Sequence, residues 1–127
     1  MYSHMMVGSN DIDRSKKFYD ALFTAIGGKE GRQDERGRLI YMHNGGVFMV
    51  TPPIDGQPAT SGNGCTFGFA MDGPEQAAAW HDAGVAAGGK SIEDPPGERQ
   101  GSFGPLYLAY LRDPDGNKLC ALHRAPV

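Results

Sequence analysis

An internal repeat constrains this chain of 127 residues more than any other feature of its sequence. At a constant offset of sixty-one residues, similar residues recur: Asp11 and Asp72, Tyr19 and Trp80, Gly27-Gly28-Lys29 and Gly88-Gly89-Lys90. Self-similarity at a fixed spacing is the sequence mark of a duplicated structural unit. We therefore expect two copies of one supersecondary motif.

Each copy has the pattern of a strand, a helix and further strands. Residues 2–7 form a short apolar run, and apolar positions at three- and four-residue steps follow Asp11, which we expect to cap a helix. Residues 65–71 and the stretch after Asp72 repeat this order. Asn44-Gly45 and Asp115-Gly116 then predict hairpins with type I′ turns, and they align at an offset of seventy-one.

The pattern predicts an α+β protein of two tandem βαβββ modules, with a cupped mixed sheet and the helices outside. We expect a single domain, 1–127, with modules at about 1–51 and 65–127 and a linker at 52–64 that is full of Gly and Pro. The second copy carries about ten extra residues within 91–106. This insertion is either a lid over a pocket or a solvated surface loop.

Composition excludes several classes of partner. A net charge of -3, from 12 basic and 15 acidic residues that are well mixed, lacks the basic stripe that a nucleic acid requires. The N-terminus does not resemble a secretory signal, and no apolar run has the length of a membrane span. We therefore expect a cytoplasmic protein, with no nucleic-acid or membrane partner, whose two cysteines are thiols.

Two modules placed side by side leave a cleft between them, where a small molecule can bind. The offset of sixty-one relates His4 to Cys65, and the offset of seventy-one relates Met49 to Cys120. Side chains alternate between the two faces of a strand, so we also predict a lining for this cleft. The predicted lining residues are Met6, Phe67, Phe69, Tyr110, Arg112 and Leu122.

The motifs of the chain resemble those of the vicinal oxygen chelate superfamily, which includes glyoxalases, bleomycin resistance proteins and extradiol dioxygenases. The matching features are His4 with Asp11 seven residues later, Phe18-Tyr19, and the run Asp113-Pro-Asp-Gly-Asn-Lys118. The resemblance implies paired βαβββ modules and a homodimer. It also implies a divalent metal held by four strands, at positions that correspond here to His4, Met49, Cys65 and Cys120.

Three interpretations of these four positions stay open. A histidine, two thiolates and a thioether suit a soft metal ion, zinc first, better than an oxygen-ligated one. Alternatively, no metal is bound and the pocket is apolar, or the residues are simply core. Met49 and Cys120 stand where a glyoxalase has carboxylates, and a thioether cannot accept a proton. The resemblance predicts a glyoxalase-like protein that binds a small organic molecule or thiol conjugate, and it leaves conversion of that molecule open; the alternative is metal-free binding or sequestration without catalysis.

Overall fold

The computed structural model describes residues 1–102 and 104–124. The first unit forms a mixed sheet of four strands in the order β1-β4-β3-β2, with β1 parallel to β4. Its elements are β1 (Met5–Gly8), α1 (Ile12–Ala25), β2 (Arg32–Gln33), β3 (Leu39–His43) and β4 (Gly46–Thr51).

The second unit repeats this arrangement with five strands, in the order β5-β9-β8-β6, and β7 also pairs with β8. Its elements are β5 (Phe67–Ala70), α2 (Pro74–Ala86), β6 (Lys90–Ser91), β7 (Gly97–Gly101), β8 (Gly104–Arg112) and β9 (Lys118–Arg124). The predicted α+β fold with two βαβββ units is thus confirmed, and the strands form two mixed sheets.

The extra strand β7 lies in the predicted insertion at 91–106. It pairs antiparallel with β8, from Gly97 opposite Leu108 to Gly101 opposite Gly104. Much of the insertion is therefore part of the sheet rather than a loop over a pocket. Position 103 of this insertion, and positions 125–127 of the second predicted module, lie outside the described residues.

Local signals determine where both helices begin. The carboxylate of Asp11 accepts a hydrogen bond from the Arg14 amide, which satisfies one of the free N–H groups at the start of α1. In α2 the N-cap is Gly73, one residue after the expected Asp72, and its first helical residue is Pro74. The start of α2 has no side-chain cap.

Each helix buries one face against its own sheet, and the two helices also contact each other. The fully buried Phe18, Tyr19 and Leu22 of α1 meet Trp80 of α2 in one core. A Cβ at Gly84 would lie 2.4 Å from the Leu111 Cδ1 atom on β8 and 3.0 Å from the Leu22 Cδ2 atom on α1, so a larger residue there would require these side chains to move. One continuous core therefore joins the two modules.

The repeat is not in constant register. Helix α1 has 14 residues and α2 has 13, so the strands before them align at an offset of sixty-two rather than sixty-one. The pairing shows this, because Met5 lies opposite Phe48 and Phe67 lies opposite Leu119. The counterpart of His4 is consequently Thr66, not Cys65.

Across the described residues, neither helix has the length and apolar character that a membrane crossing requires.

Candidate ligand cleft and the two turn junctions

The turn between β8 and β9 connects the second module to the first through hydrogen bonds. Asp113, 4% exposed, accepts hydrogen bonds from the Tyr19 hydroxyl at 2.5 Å and the Asn117 side-chain amide at 2.8 Å. It also accepts from the backbone amides of Asp115 and Asn117, both at 2.9 Å. The Asn117 side chain donates onward to the Gly8 carbonyl at 3.1 Å, which ties the turn to β1.

A second carboxylate of this turn is also buried. The side chain of Asp115, 2% exposed, accepts from the Asn10 amide and the Arg14 guanidinium, each at 2.9 Å. The Ser15 hydroxyl donates to its other oxygen at 3.2 Å. A carboxylate at a helix N-terminus is favoured by the helix dipole. The end of β1 and the start of α1 are thus closed by polar groups of the other module.

The geometry of this turn differs from the expected type I′ hairpin. Five residues separate the paired Arg112 and Lys118, and Gly116 has a φ of 92°. A type I′ turn would also require a positive φ at Asp115. Among the described non-glycine residues, Asn44 and Glu93 have a positive φ and Asp115 does not. The predicted turn type is wrong here because the Asp113 side chain organises a longer loop.

Burial and hydrogen bonding shift the pKa of Asp113 in opposite directions. Burial raises the pKa of Asp113, while the hydrogen bonds from Tyr19, Asn117 and Asp115 lower it, and the net direction is upward. Burial and the neighbouring carboxylate raise the pKa of Tyr19 well above its usual value. The phenol therefore stays a hydrogen-bond donor at neutral pH.

The turn between β3 and β4 has the expected type I′ geometry. Asn44 has a φ of 47° and Gly45 a φ of 81°, so both central residues lie in the left-handed region. This two-residue turn joins the directly paired His43 and Gly46. The first hairpin is therefore shorter than the second.

Strand pairing identifies the counterparts of the locking residues. The pair Tyr41–Phe48 in the first sheet corresponds to Leu111–Leu119 in the second, since Phe48 and Leu119 face equivalent positions of β1 and β5. Two residues further toward the turn on each strand, His43 corresponds to Asp113 and Gly46 corresponds to Asn117.

Because Gly46 has no side chain, it cannot bridge to the neighbouring module as Asn117 does. The start of α2 is instead satisfied within its own segment, where the Asp72 amide donates to the Gln76 side chain at 2.7 Å. Ala77, which corresponds to Ser15, carries no hydroxyl. The first junction, where the β3–β4 turn meets β5 and α2, therefore lacks hydrogen bonds equivalent to those of Asp113, Asp115 and Asn117.

A cavity of about 280 Å³, the inner chamber, lies at this first junction. Its walls include the aromatic rings of Phe23, Tyr41, Phe48 and Phe69. The ring centroids of Phe23 and Tyr41 are 4.6 Å apart and nearly parallel, and Phe69 meets Phe48 at 5.2 Å edge to face. The polar lining residues include His43, Asn44 and Asp72.

A second cavity of about 390 Å³, the outer chamber, adjoins the inner one. Its lining includes His4, Thr66 and Phe67. The two chambers share residues from both modules and form one intermodule cleft between the edge strands β1 and β5. The shared residues are Met5, Gly46, Val47, Phe48, Gly68 and Phe69.

Of the residues predicted from the sequence, His4, Phe67 and Phe69 line this cleft. Phe67 and Phe69 pack against the core, on the face of β5 opposite to the one that the sixty-one offset indicated. His4 is exposed and its Nδ1 lies 2.7 Å from the Ser3 hydroxyl. Cys65 is exposed and precedes β5.

The remaining predicted residues form two separate groups. Met6 and Met49 pair side by side on β1 and β4. Tyr110 of β8 pairs with Cys120 of β9, and the two other predicted residues lie two positions away along the same two strands. These are Arg112, paired with Lys118, and Leu122, paired with Leu108.

The surroundings of Cys120 favour its thiol form. Burial raises the pKa of Cys120 more than the Tyr110 hydrogen bond and the Lys118 charge lower it. The Lys118 ammonium lies 5.0 Å from the Tyr110 ring centroid and pairs with Glu93 at 2.5 Å. Arg112 donates to the Gly116 carbonyl at 2.7 Å and so supports the turn.

The metal site that the family resemblance implies needs several donor side chains grouped around one point. Across 1–102 and 104–124, no three side chains among His, Cys, Asp and Glu are grouped so that they could hold a metal ion. His4 and Cys65 are exposed, whereas Cys120 is buried, 5% exposed. Within one chain the predicted ligands do not fit a metal, and we derive no chemical step through one.

Several lining residues were not found from the sequence. The inner chamber contains Phe23, Tyr41, His43, Phe48 and Asp72, none of which was a predicted site residue. The aromatic residues had the pattern of ordinary core, and His43 lies beside a turn. The available signal was Gly46, which stands where the second copy has the bridging Asn117.

Related sequences and solved structures agree with the fold and with the paired modules. The sequence model of the Glyoxalase/Bleomycin resistance protein/Dioxygenase superfamily matches residues 2–121. The chain belongs to this superfamily. No curated protein shows a significant match to the chain.

Solved structures include a glyoxalase/bleomycin resistance protein from Albidiferax ferrireducens T118. It is 58% identical, with a TM-score of 0.94, and the match covers 98% of this chain and 99% of that one. A glyoxalase-related enzyme from Fulvimarina pelagi is 20% identical, with a TM-score of 0.73 and coverages of 98% and 88%. A lactoylglutathione lyase from Agrobacterium tumefaciens is 18% identical, with a TM-score of 0.67 and coverages of 97% and 92%. The last two share the fold alone.

Proposed function

We propose that this protein binds a small organic molecule in the intermodule cleft without using a metal. The observation that carries the proposal is the cleft itself, since two adjoining chambers of about 280 and 390 Å³ share a largely apolar lining from both modules. Ligand pockets typically combine such a lining with a few polar groups. The polar groups of this cleft include His4, His43 and Asp72.

Binding or sequestration fits the lining better than glyoxalase-type conversion. That conversion needs a base that removes a proton next to a carbonyl group, usually a carboxylate. Among the described residues that line the two chambers, Asp72 is the single carboxylate, and it is exposed. Met49 and Cys120, at the positions of the family's carboxylates, supply a thioether and a thiol whose pKa is raised by burial.

The proposal is tested by a fragment screen with protein-observed NMR, in which aromatic and aliphatic compounds are added to isotopically labelled protein. Ligands should shift the amide signals of Gly46, Gly68 and Phe69. Signals of β7 should stay unchanged. A screen without hits, or with shifts confined to other regions, would contradict the proposal.

A cavity-filling variant makes this test specific. Gly46→Leu places a side chain in the cleft, and the nearest atom to a Cβ there is the His43 carbonyl at 3.5 Å, so the backbone has room. Gly97→Leu on β7 is the matched control, since its Cβ would meet the Arg99 guanidinium at 3.4 Å, away from the cleft. We expect binding to be lost in Gly46→Leu and kept in Gly97→Leu, with both variants folded by NMR.

The soft-metal site predicted at His4, Met49, Cys65 and Cys120 is tested separately. Elemental analysis of protein purified without chelators should find no stoichiometric zinc or copper if the metal-free proposal holds. Stoichiometric metal that disappears in Cys120→Ala would favour the metal-dependent enzyme instead. Lyase and thiol-transfer assays would then identify the reaction.

We further propose a homodimer and a cytoplasmic location, both as expectations from the sequence. The face of the first sheet that is turned away from α1 carries apolar side chains, including Met42, which is 63% exposed. An exposed apolar sheet face is typical of an interaction surface. Sedimentation that gives a stable monomer at micromolar concentration would overturn the dimer.

A further inference from the structure

We propose that the inner chamber selects a fused aromatic ring that carries a positive charge, such as an arylmethyl ammonium group. This inference deepens the proposed function, because it assigns a ligand class to the cleft. It depends on three features of the chamber: its size, its aromatic walls and the sign of its charge.

The size of the chamber suits two fused rings. A cavity of roughly 150 Å³ lined by apolar side chains is known to hold benzene. The inner chamber has about 280 Å³ and opens toward the outer chamber through their shared lining. A bicyclic aromatic group therefore fits, while its substituent reaches the polar lining.

The aromatic part of the wall presents ring carbon atoms to the chamber. The Tyr41 hydroxyl donates to the Asp20 carboxylate at 2.8 Å, so its polar atom is already engaged outside the chamber. Phe69 contacts Phe23, Phe48 and Trp80 at centroid distances of 5.9, 5.2 and 6.2 Å. Aromatic walls bind a flat ring by stacking or edge contacts, and their faces attract cations.

The sign of the charge comes from Asp72. Among the described lining residues of this chamber it is the single carboxylate, and no lysine or arginine lines the chamber. Lys29, Glu30 and Arg32 line a neighbouring surface groove, which shares His43 and Asn44 with the chamber. An ammonium group near Asp72 is attracted, whereas a carboxylate on the ligand would be repelled.

Asp72 is available for this role. It does not cap α2, since the N-cap is Gly73 and no side-chain cap is present. Its side chain accepts a long hydrogen bond of 3.4 Å from the Gln76 amide. Replacing the carboxylate by an amide should therefore change binding more than folding.

The test uses three probes of matched size: 1-naphthylmethylammonium, 1-naphthalenemethanol and 1-naphthoate, titrated by NMR at low salt. We expect the ammonium probe to bind about tenfold more tightly than the alcohol, and the naphthoate to bind most weakly. Asp72→Asn should reduce the affinity for the ammonium probe about fivefold and leave the alcohol unchanged. Asp82→Asn, on the exposed face of α2 with a side chain 86% exposed, is the control and should change neither.

The outcomes separate this inference from the proposed function. If the three probes bind equally, or the naphthoate binds best, selection for a cation is wrong while binding in the cleft stands. If none of them binds but other fragments shift the cleft signals, the assigned ligand class is wrong. If no compound of any kind shifts the cleft signals, the proposed function fails as well.

Discussion

The two hairpin turns occupy equivalent places in the repeat, yet they do opposite things. The β8–β9 turn inserts Asp113, Asp115 and Asn117 between the modules and closes one junction with polar contacts. The β3–β4 turn has His43 and Gly46 at the corresponding places, and a cavity of about 280 Å³ remains there. A duplicated fold thus holds itself together at one junction and stays open at the other.

A few side chains at each turn determine whether the junction is closed by hydrogen bonds or contains a cavity. The Asn117 side chain bonds to the Gly8 carbonyl across the module boundary. Gly46 has no side chain that could make the equivalent bond to Ala70, the residue of β5 that corresponds to Gly8. The apolar aromatic core is continuous past both junctions. Where the polar insertion is absent, rings of that core, such as Phe48 and Phe69, line the cavity.

Loss of the Asp113 carboxylate should cause the largest effect. Asp113→Ala leaves several donors without their acceptor, including the buried Tyr19 hydroxyl, and should lower the free energy of unfolding by about 3 kcal/mol. Urea denaturation measures this. Asp34→Ala is the control, because Asp34 organises the β2–β3 turn through similar bonds at the surface. An equal loss in both variants would mean that the junction is not special.

Making the second turn resemble the first should have a smaller effect. Asn117→Gly removes the hydrogen bonds to Asp113 and Gly8 and should cost about 2 kcal/mol. It should also open this junction to small apolar compounds. Stability and ligand binding of the variant can be followed in one NMR titration, and an unchanged, still closed junction would contradict the account.

The pKa values of Asp113 and Asp20, which each accept a hydrogen bond from a tyrosine hydroxyl, should be shifted in opposite directions. Burial raises the pKa of Asp113, so it should lie above the usual value of about 3.9. Burial also acts upward at Asp20, but hydrogen bonds from Lys16, the Gly31 amide and Tyr41 lower the pKa below that value.

The signs of the stability effects follow from linkage. The contribution of Asp113 is present below its unfolded pKa and is lost as the pH rises through its raised pKa. The contribution of Asp20 is present above its unfolded pKa and is lost as the pH falls through its lowered pKa. Carboxyl ¹³C NMR titration measures both, and an Asp113 pKa below that of Asp20 would contradict the prediction.

Filling the open junction should have the smallest effect on stability. Gly46→Asn supplies the side chain that the first turn lacks, and we expect a gain of about 0.5 kcal/mol, in part from reduced freedom of the unfolded chain. Gly97→Asn is the matched control for that backbone contribution. Thermal unfolding of both variants isolates the contribution of the junction. A loss of stability in Gly46→Asn alone would show that the cavity has no room for the side chain.

The sequence was sufficient for the fold because the repeat, the helix signals and the turn residues all indicated the same elements. It was less informative about the cleft. The offset of sixty-one was measured on the helices, and α1 is one residue longer than α2, so the strands were shifted by one position. In a strand, a shift of one residue exchanges the two faces. Phe67 and Phe69 therefore face the core, and Thr66 rather than Cys65 corresponds to His4.

The aromatic chamber could not be predicted for a different reason. Phe23, Tyr41 and Phe48 have the spacing of core residues, and they are buried. Whether such residues pack completely depends on what the other module inserts between them, which is a property of the tertiary arrangement. The absence of a side chain at Gly46 becomes informative once strand pairing has aligned it with Asn117.

Xenon binding tests the difference between the junctions most directly, because xenon enters apolar cavities without needing a specific hydrogen bond. Crystals of the protein pressurised with xenon should show a peak among Phe23, Phe48 and Phe69 and no peak around Asp113. Gly46→Leu should abolish that peak. Xenon at both junctions, or at neither, would contradict the account of one closed and one open junction.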